Sequence, residues 1–290
     1  MTSAAKLPAI DSHHHFRDHN RGDYPWMAGS VLPIRRVFTP DDMRPLLAPA
    51  GVQKTILVQT WSSHAESRAF LALAQATDFI AGLVTWVDLE APDVAEKPDD
   101  FCAGPQGMWL VGIRHQVQHQ ADPRWLCRSE VRRGLRAVPA HELVYDRLIV
   151  PRELIAALET VRVMPGLPYV IDHIAKPEIA KDGFVRWTKL MRPFDAERQV
   201  WCQLPGMVTE ADWATWTTEQ FTPYIADVLR IFGSKRCLMG SDWPVSLLAS
   251  DYNRTVDLVR DAIAGLDEED QRAVLWTSAT EACQLHEGQL

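Results

Sequence analysis

The chain has 290 residues, 47% of them apolar, which is enough for a sizeable core. Lys and Arg number 30 against 38 Asp and Glu, and the formal net charge of −8 argues against a general nucleic-acid binder, which would carry a basic face. The five scattered cysteines (102, 127, 202, 237, 283) form no CxxC pair, and no apolar run reaches about 18 residues. This argues against a cysteine-based zinc site, a disulfide framework and a membrane span, and points to a cytoplasmic protein.

In chain order, short apolar, β-branched runs predict strands at Leu7–His15, Lys54–Thr60, Phe79–Leu89, Trp109–Val117, Tyr145–Val150, Pro168–Ala175, Val200–Leu204 and Arg236–Asp242. Between them, apolar residues at helical spacing predict helices from Ala65, Ser129, Pro151 and Thr222. Proline suits the first turn of the third, and Gly233 is a stop for the fourth. The segment 252–285 reads as two or three more helices. Eight strands alternating with helices imply an α/β fold, a TIM (β/α)8 barrel. The rival, an open doubly wound sheet, usually shows a glycine-rich phosphate turn after its first strand, and none is present. No linker, low-complexity segment or fixed repeat divides the chain, so residues 1–290 are expected to form one domain.

In a TIM barrel the active site lies at the C-terminal ends of the strands. The stretch DSHHHF (11–16) ends the first predicted strand, and strict alternation puts Asp11, His13 and His15 on one face and His14 on the other. Two imidazoles aimed at one point can chelate a divalent ion, or can simply hydrogen-bond in a polar barrel mouth. Asp242, in MGSDWP, ends the last strand, where a carboxylate can take a proton from an attacking water; the plainer alternative is a turn or cap aspartate. His173, in VIDHIAKP, is a candidate proton carrier, ligand or donor to a substrate oxygen, whereas Asp172 is expected to face away and be structural. Arg114 can pair with a substrate carboxylate or polarise a carbonyl, or serve an ion pair within the rim. Several of the eleven tryptophans fall in loops (26, 61, 125, 213, 243), where one near the pocket can stack on a sugar ring. No GxSxG, HExxH, P-loop or kinase motif occurs.

Taken together and in order, IDSHHHF…YPWM, LVGIRHQVQ…DPRWL, YDRLIVPREL, YVIDHIAKP, GMVTEADWATW and CLMGSDWPV resemble one branch of the amidohydrolase superfamily. That branch includes L-fuconolactonase, L-rhamnono-lactonase and, more distantly, 2-pyrone-4,6-dicarboxylate lactonase. The resemblance covers nearly the whole chain. It implies a TIM-barrel hydrolase that opens the ring ester of a sugar-acid lactone. It also implies a site of His13 and His15 as metal ligands, with His173 and Asp242 as catalytic groups, and either one divalent ion (zinc or manganese) or none. Arg114, Trp86, Gln203 and Trp243 complete the expected site as substrate-binding residues. The expected partner is a small-molecule lactone, with no nucleic acid or membrane; a homo-oligomer is left open. Two departures stand out: CQLPGM occurs where the family pattern has CKLSGM, placing Gln203 and Pro205 at those positions, and Phe16-Arg17 follows the histidines where an aromatic pair is common. A metal-dependent decarboxylase of the same superfamily and a non-catalytic sugar-acid binder are the alternatives.

Overall fold

The structure, a computed structural model, describes residues 6–18, 24, 27–94, 96–204 and 206–290. Trp26 and Pro205 lie outside the described residues. Eight strands follow one another around a single parallel sheet in the order β1 to β8: Ala9–His14, Val52–Val58, Ile80–Thr85, Leu110–His115, Val144–Arg147, Tyr169–Ile171, Val200–Gln203 and Cys237–Leu238. Each lies within, or overlaps, the segment predicted for it. The sheet closes on itself because the N–H of Ser12 donates to Met239 O at 3.0 Å, that of Asp242 to His13 O at 2.8 Å and that of His15 to Trp243 O at 2.7 Å. This is the TIM barrel that the alternation of elements implies.

Among the described residues ten α-helices surround it: α1 Pro40–Ala50, α2 His64–Ala76, α3 Glu96–Cys102, α4 Ser129–Leu135, α5 Leu154–Val163, α6 Phe184–Met191, α7 Thr218–Phe232, α8 Tyr252–Ile263, α9 Glu268–Arg272 and α10 Ser278–Ala282. Three of them, α1, α3 and α6, are absent from the sequence reading. Pro45 and Pro49 disguise α1, yet it is well bounded: Thr39 and Asp42 form a capping box, and Gly51 ends the helix in the left-handed conformation at φ +70°. The other two are short. No helix among the described residues is long and apolar enough to cross a membrane.

Two apolar clusters follow from the alternating strand faces. A small one, including Ile10, Ile56, Val58, Val84, Val144, Val170 and Leu238, draws on different strands and fills the barrel. A much larger one lies between barrel and helices, where Trp187, Phe194 and Phe221 are fully buried. The barrel is therefore largely apolar inside, with Asp146 a buried exception, and the candidate site residues gather at the end where the strands stop.

Candidate active site

The histidine run is built by an irregular strand. The pairing of β1 with β2 shifts register between Asp11 and His14, so strict alternation fails there. His14 faces the helix layer as expected, bonded through Nε2 to Thr55 Oγ1 at 2.9 Å and edge-on to Phe16. Asp11 is a correction: it does not share the face of His13 and His15. Its carboxylate accepts from the N–H groups of His13 (3.2 Å) and Ser241 (2.8 Å), the Ser241 hydroxyl (2.6 Å) and the Tyr252 hydroxyl of α8 (3.0 Å). Burial lifts its pKa to about 6 against the pull of these bonds. Asp11 thus ties β1 to β8 and α8 from behind.

His13 and His15 meet at the barrel mouth, and their partners fix their tautomers. His13 Nδ1 lies 2.8 Å from Gln203 Oε1, while the Gln203 amide donates to Ser12 O at 3.2 Å. His15 Nδ1 lies 2.8 Å from the carbonyl of Val58. Each ring therefore carries its proton on Nδ1 and presents an Nε2 lone pair. Those two nitrogens are 3.2 Å apart. Asp242 Oδ1 is 3.4 Å from His15 Nε2 and 3.8 Å from His173 Nε2, and it is buried with no hydrogen-bond partner in the protein.

These separations fit a tetrahedral divalent ion, whose ligand atoms would stand about 3.3 Å apart given ordinary zinc–nitrogen distances. The ligand atoms of His13, His15 and Asp242 lie within 4.8 Å of one another, as do those of His13, Asp172 and His173. Facing lone pairs and an orphaned carboxylate oxygen form an acceptor cluster suited to a cation, and the Arg114 guanidinium meets it from the side of His13. The Gln203 and Val58 carbonyl groups are the hydrogen-bond partners that orient such ligands. The departure from lysine at position 203 thus acquires a physical role.

Electrostatics keep the cluster in its acceptor form. Burial drives the His13 imidazole well below its ordinary range and that of His173 to about 3, and it lowers His15 as well. Burial pushes Asp242 up, but facing His173 and His15, with Lys176 nearby, bring it down to about 2. Because the imidazoles are neutral near pH 7, the cations that sustain the Asp242 carboxylate there are Lys176 and Arg17.

The backbone holding these groups is strained. Asp242 has φ +55°, and His173, Ile174, Ala175 and Lys176 all lie in the left-handed region at φ between 46° and 58°. Such residues cost about 1–2 kcal/mol each outside glycine, and they cluster where function requires an unusual side-chain direction. β6 ends at Ile171, Asp172 keeps the inward face of Val170, which corrects the expectation for it, and the left-handed stretch begins at His173. Asp172 and His173 both face the mouth: Asp172 Oδ2 accepts from Arg114 Nη1 at 3.2 Å, and the His173 ring stands 4.4 Å from that of His13. Arg114 also approaches His13 Nε2 at 3.2 Å and donates to the carbonyl of Gln59.

Gly206 supports the His173 ring. It sits at φ +78°, and a Cβ there would meet His173 Nδ1 at 2.4 Å. Gly206→Ala is expected to cost about 1–3 kcal/mol through overpacking and backbone strain and to lower turnover by displacing the ring. Thermal unfolding and kcat measured together check this, and wild-type values for both would contradict the account.

A cavity of about 260 Å³ opens onto the cluster, lined by His15, Arg114, His173 and Asp242 among others. Three expected binding residues lie elsewhere. Trp86 donates through its indole N–H to His115 Nδ1 at 3.3 Å, Gln203 sits behind His13, and Trp243 is buried edge-on against Phe38. None of the three lines this cavity. The lining adds residues that the motifs did not single out: Arg17, Gln118, His119, Thr209 and Glu210, together with Trp213 from the loop tryptophans. Their signal in sequence is position, one to nine residues beyond a predicted strand end.

Comparison with known proteins agrees with this geometry. The amidohydrolase family model matches residues 10–282. An L-fucono-1,5-lactonase of Burkholderia ambifaria is 37% identical over 243 residues, covering 84% of this chain and 82% of its own. One from Burkholderia multivorans is 32% identical over 284 residues, covering 94% and 95%. The crystal structure of a Burkholderia multivorans amidohydrolase with bound zinc superposes with a TM-score of 0.91 at 32% identity, over 97% of this chain and all of that one. A barrel closed by β8 onto β1, with histidines and an aspartate converging at its mouth, together with a match from the first strand to the last helix, places this chain in the amidohydrolase family.

Proposed function

We propose that this protein is a lactone hydrolase that opens the ring ester of a sugar-acid lactone by attack of a water that Asp242 deprotonates. The observation that carries the reading is the Asp242 carboxylate: ionised, buried, without a hydrogen-bond partner on Oδ1, and facing the neutral imidazoles of His15 and His173 in the cavity. The likeness to two L-fucono-1,5-lactonases over most of the chain supports the substrate class.

The work divides among the residues as follows. Asp242 Oδ1 accepts the proton of the attacking water as the carbon–oxygen bond to the carbonyl forms. Arg114, held by Asp172 and the Gln59 carbonyl, points its guanidinium at the same region and stabilises charge that builds on the carbonyl oxygen. His173 sits at the cavity wall beside Asp242, placed to relay the proton from the carboxyl to the departing ring oxygen. Proton and water are thereby both accounted for: the hydroxyl stays on the new acid and the proton ends on the freed ring hydroxyl. His13, His15 and Asp242 would hold a divalent ion, which supplies Lewis-acid polarisation of the ester carbonyl when bound.

Lactone opening releases an acid, so an indicator reads it directly. On a panel of five- and six-membered sugar lactones near neutral pH, turnover well above the spontaneous rate is expected for one stereochemical set. Silence across the panel, with folded protein and added zinc or manganese, would overturn the reading.

A further inference from the structure

Beyond the reacting centre, the cavity wall carries an ion pair whose lysine lends its charge to the Asp242 carboxylate but which takes no proton in the hydrolytic step. Lys176 Nζ and Glu210 Oε1 are 2.8 Å apart, each side chain about one-fifth exposed (18% and 21%), and both face the cavity. The pair is firmly placed. Lys176 closes the left-handed turn, its N–H donating to His173 O at 2.8 Å. Glu210 ends a short 3₁₀ turn, Met207–Glu210, in which the Thr209 hydroxyl donates to Gly206 O at 2.8 Å. Trp213 stands beside it with its indole N–H committed to Thr209 O at 2.9 Å, so what it offers the half-buried cavity wall is aromatic carbon.

The chemistry of the pair is specific. An ammonium has three donors and a carboxylate has about four acceptor sites, so a single mutual bond leaves both with capacity. A hydroxyl is donor and acceptor at once. Of two neighbouring hydroxyls, one can donate to Glu210 while the other accepts from Lys176, with an apolar ring face against Trp213. Among the described residues a substrate carboxylate is less well served: Arg114 is paired with Asp172, Lys176 with Glu210, and Arg17 lies in the field of the Asp242 carboxylate.

We propose that the Lys176–Glu210 pair, flanked by Trp213, reads adjacent hydroxyl groups of an uncharged polyhydroxylated lactone and so sets the preference of this protein for sugar lactones. The proposal rests on the lactonase reading and names the part of the site that selects the substrate.

The test compares kcat/KM for a sugar 1,5-lactone, for unsubstituted δ-valerolactone and for a carboxylate-bearing pyrone lactone, in wild type, Lys176→Gln and Glu210→Gln. Sites built to bond a hydroxyl reject analogues that lack it by large factors, and for this partly exposed pair a wild-type preference for the sugar lactone over δ-valerolactone of about 100-fold is expected. Either variant should shrink that ratio about tenfold or more, mainly through KM for the sugar lactone. The ratio separates this role from a merely structural one, since loss of loop geometry would depress both substrates alike. An unchanged ratio in both folded variants, or a preference for the carboxylated lactone, overturns the proposal while leaving the lactonase reading in place. Failure of wild type on every lactone overturns the lactonase reading itself, and the proposal with it.

Discussion

Asp242→Asn should lower kcat/KM for the preferred lactone by about 10³-fold, within the range that general bases supply, with little change in the unfolding midpoint. Asparagine has the same shape and size. It is also among the few residues that tolerate the left-handed backbone, so the φ of +55° at this position is retained. The carboxylate bonds to no structural partner through Oδ1, and the side chain is buried, so an amide there leaves the fold nearly untouched. What it removes is the proton acceptor. Asp242→Ala is the poorer experiment, since it adds backbone strain to the loss of the acceptor. Steady-state kinetics and a melting curve decide the matter: turnover within a few-fold of wild type in a folded Asn variant would show that another group accepts the proton.

The second large effect concerns the histidine pair. Replacing His13 and His15 together by Asn should weaken zinc binding at least about 100-fold, more than the loss of a single hydrogen-bond partner behind a ligand produces. The reason lies in the tautomers: Gln203 and the Val58 carbonyl hold both protons on Nδ1, leaving two Nε2 lone pairs 3.2 Å apart. Metal titration of the folded variant measures this without reference to activity. Unaltered zinc affinity in the double variant would mean that the pair is not the chelating centre. Stripping the wild type with a chelator asks the complementary question. Full kcat in the stripped protein would assign the polarisation of the carbonyl to Arg114 alone.

Much of this architecture is legible in the sequence. Eight β-branched runs separated by helical periodicity specify a parallel barrel, because a half-buried strand and an amphipathic helix each impose a period on the chain. The barrel in turn dictates that chemistry gathers at strand ends, so His13, His15, Arg114, His173 and Asp242 could be named from position alone, and all five come together at the mouth. Tertiary structure decided the rest, for local reasons. The register shift in β1 turned Asp11 to the helix layer, an irregularity that two-residue alternation cannot anticipate. Asp172 continues the inward face of Val170 beside Arg114, and the left-handed turn that begins at His173 brings that ring to the same mouth, so both face it against the expectation for Asp172. Which tryptophans line the cavity, and that Glu210 meets Lys176 across a gap of 34 residues, depend on how separate loops fold over one rim. Periodicity is a property of neighbours along the chain and can be read there. The pairing of a donor on one loop with an acceptor on another exists only once the barrel has brought their strands side by side.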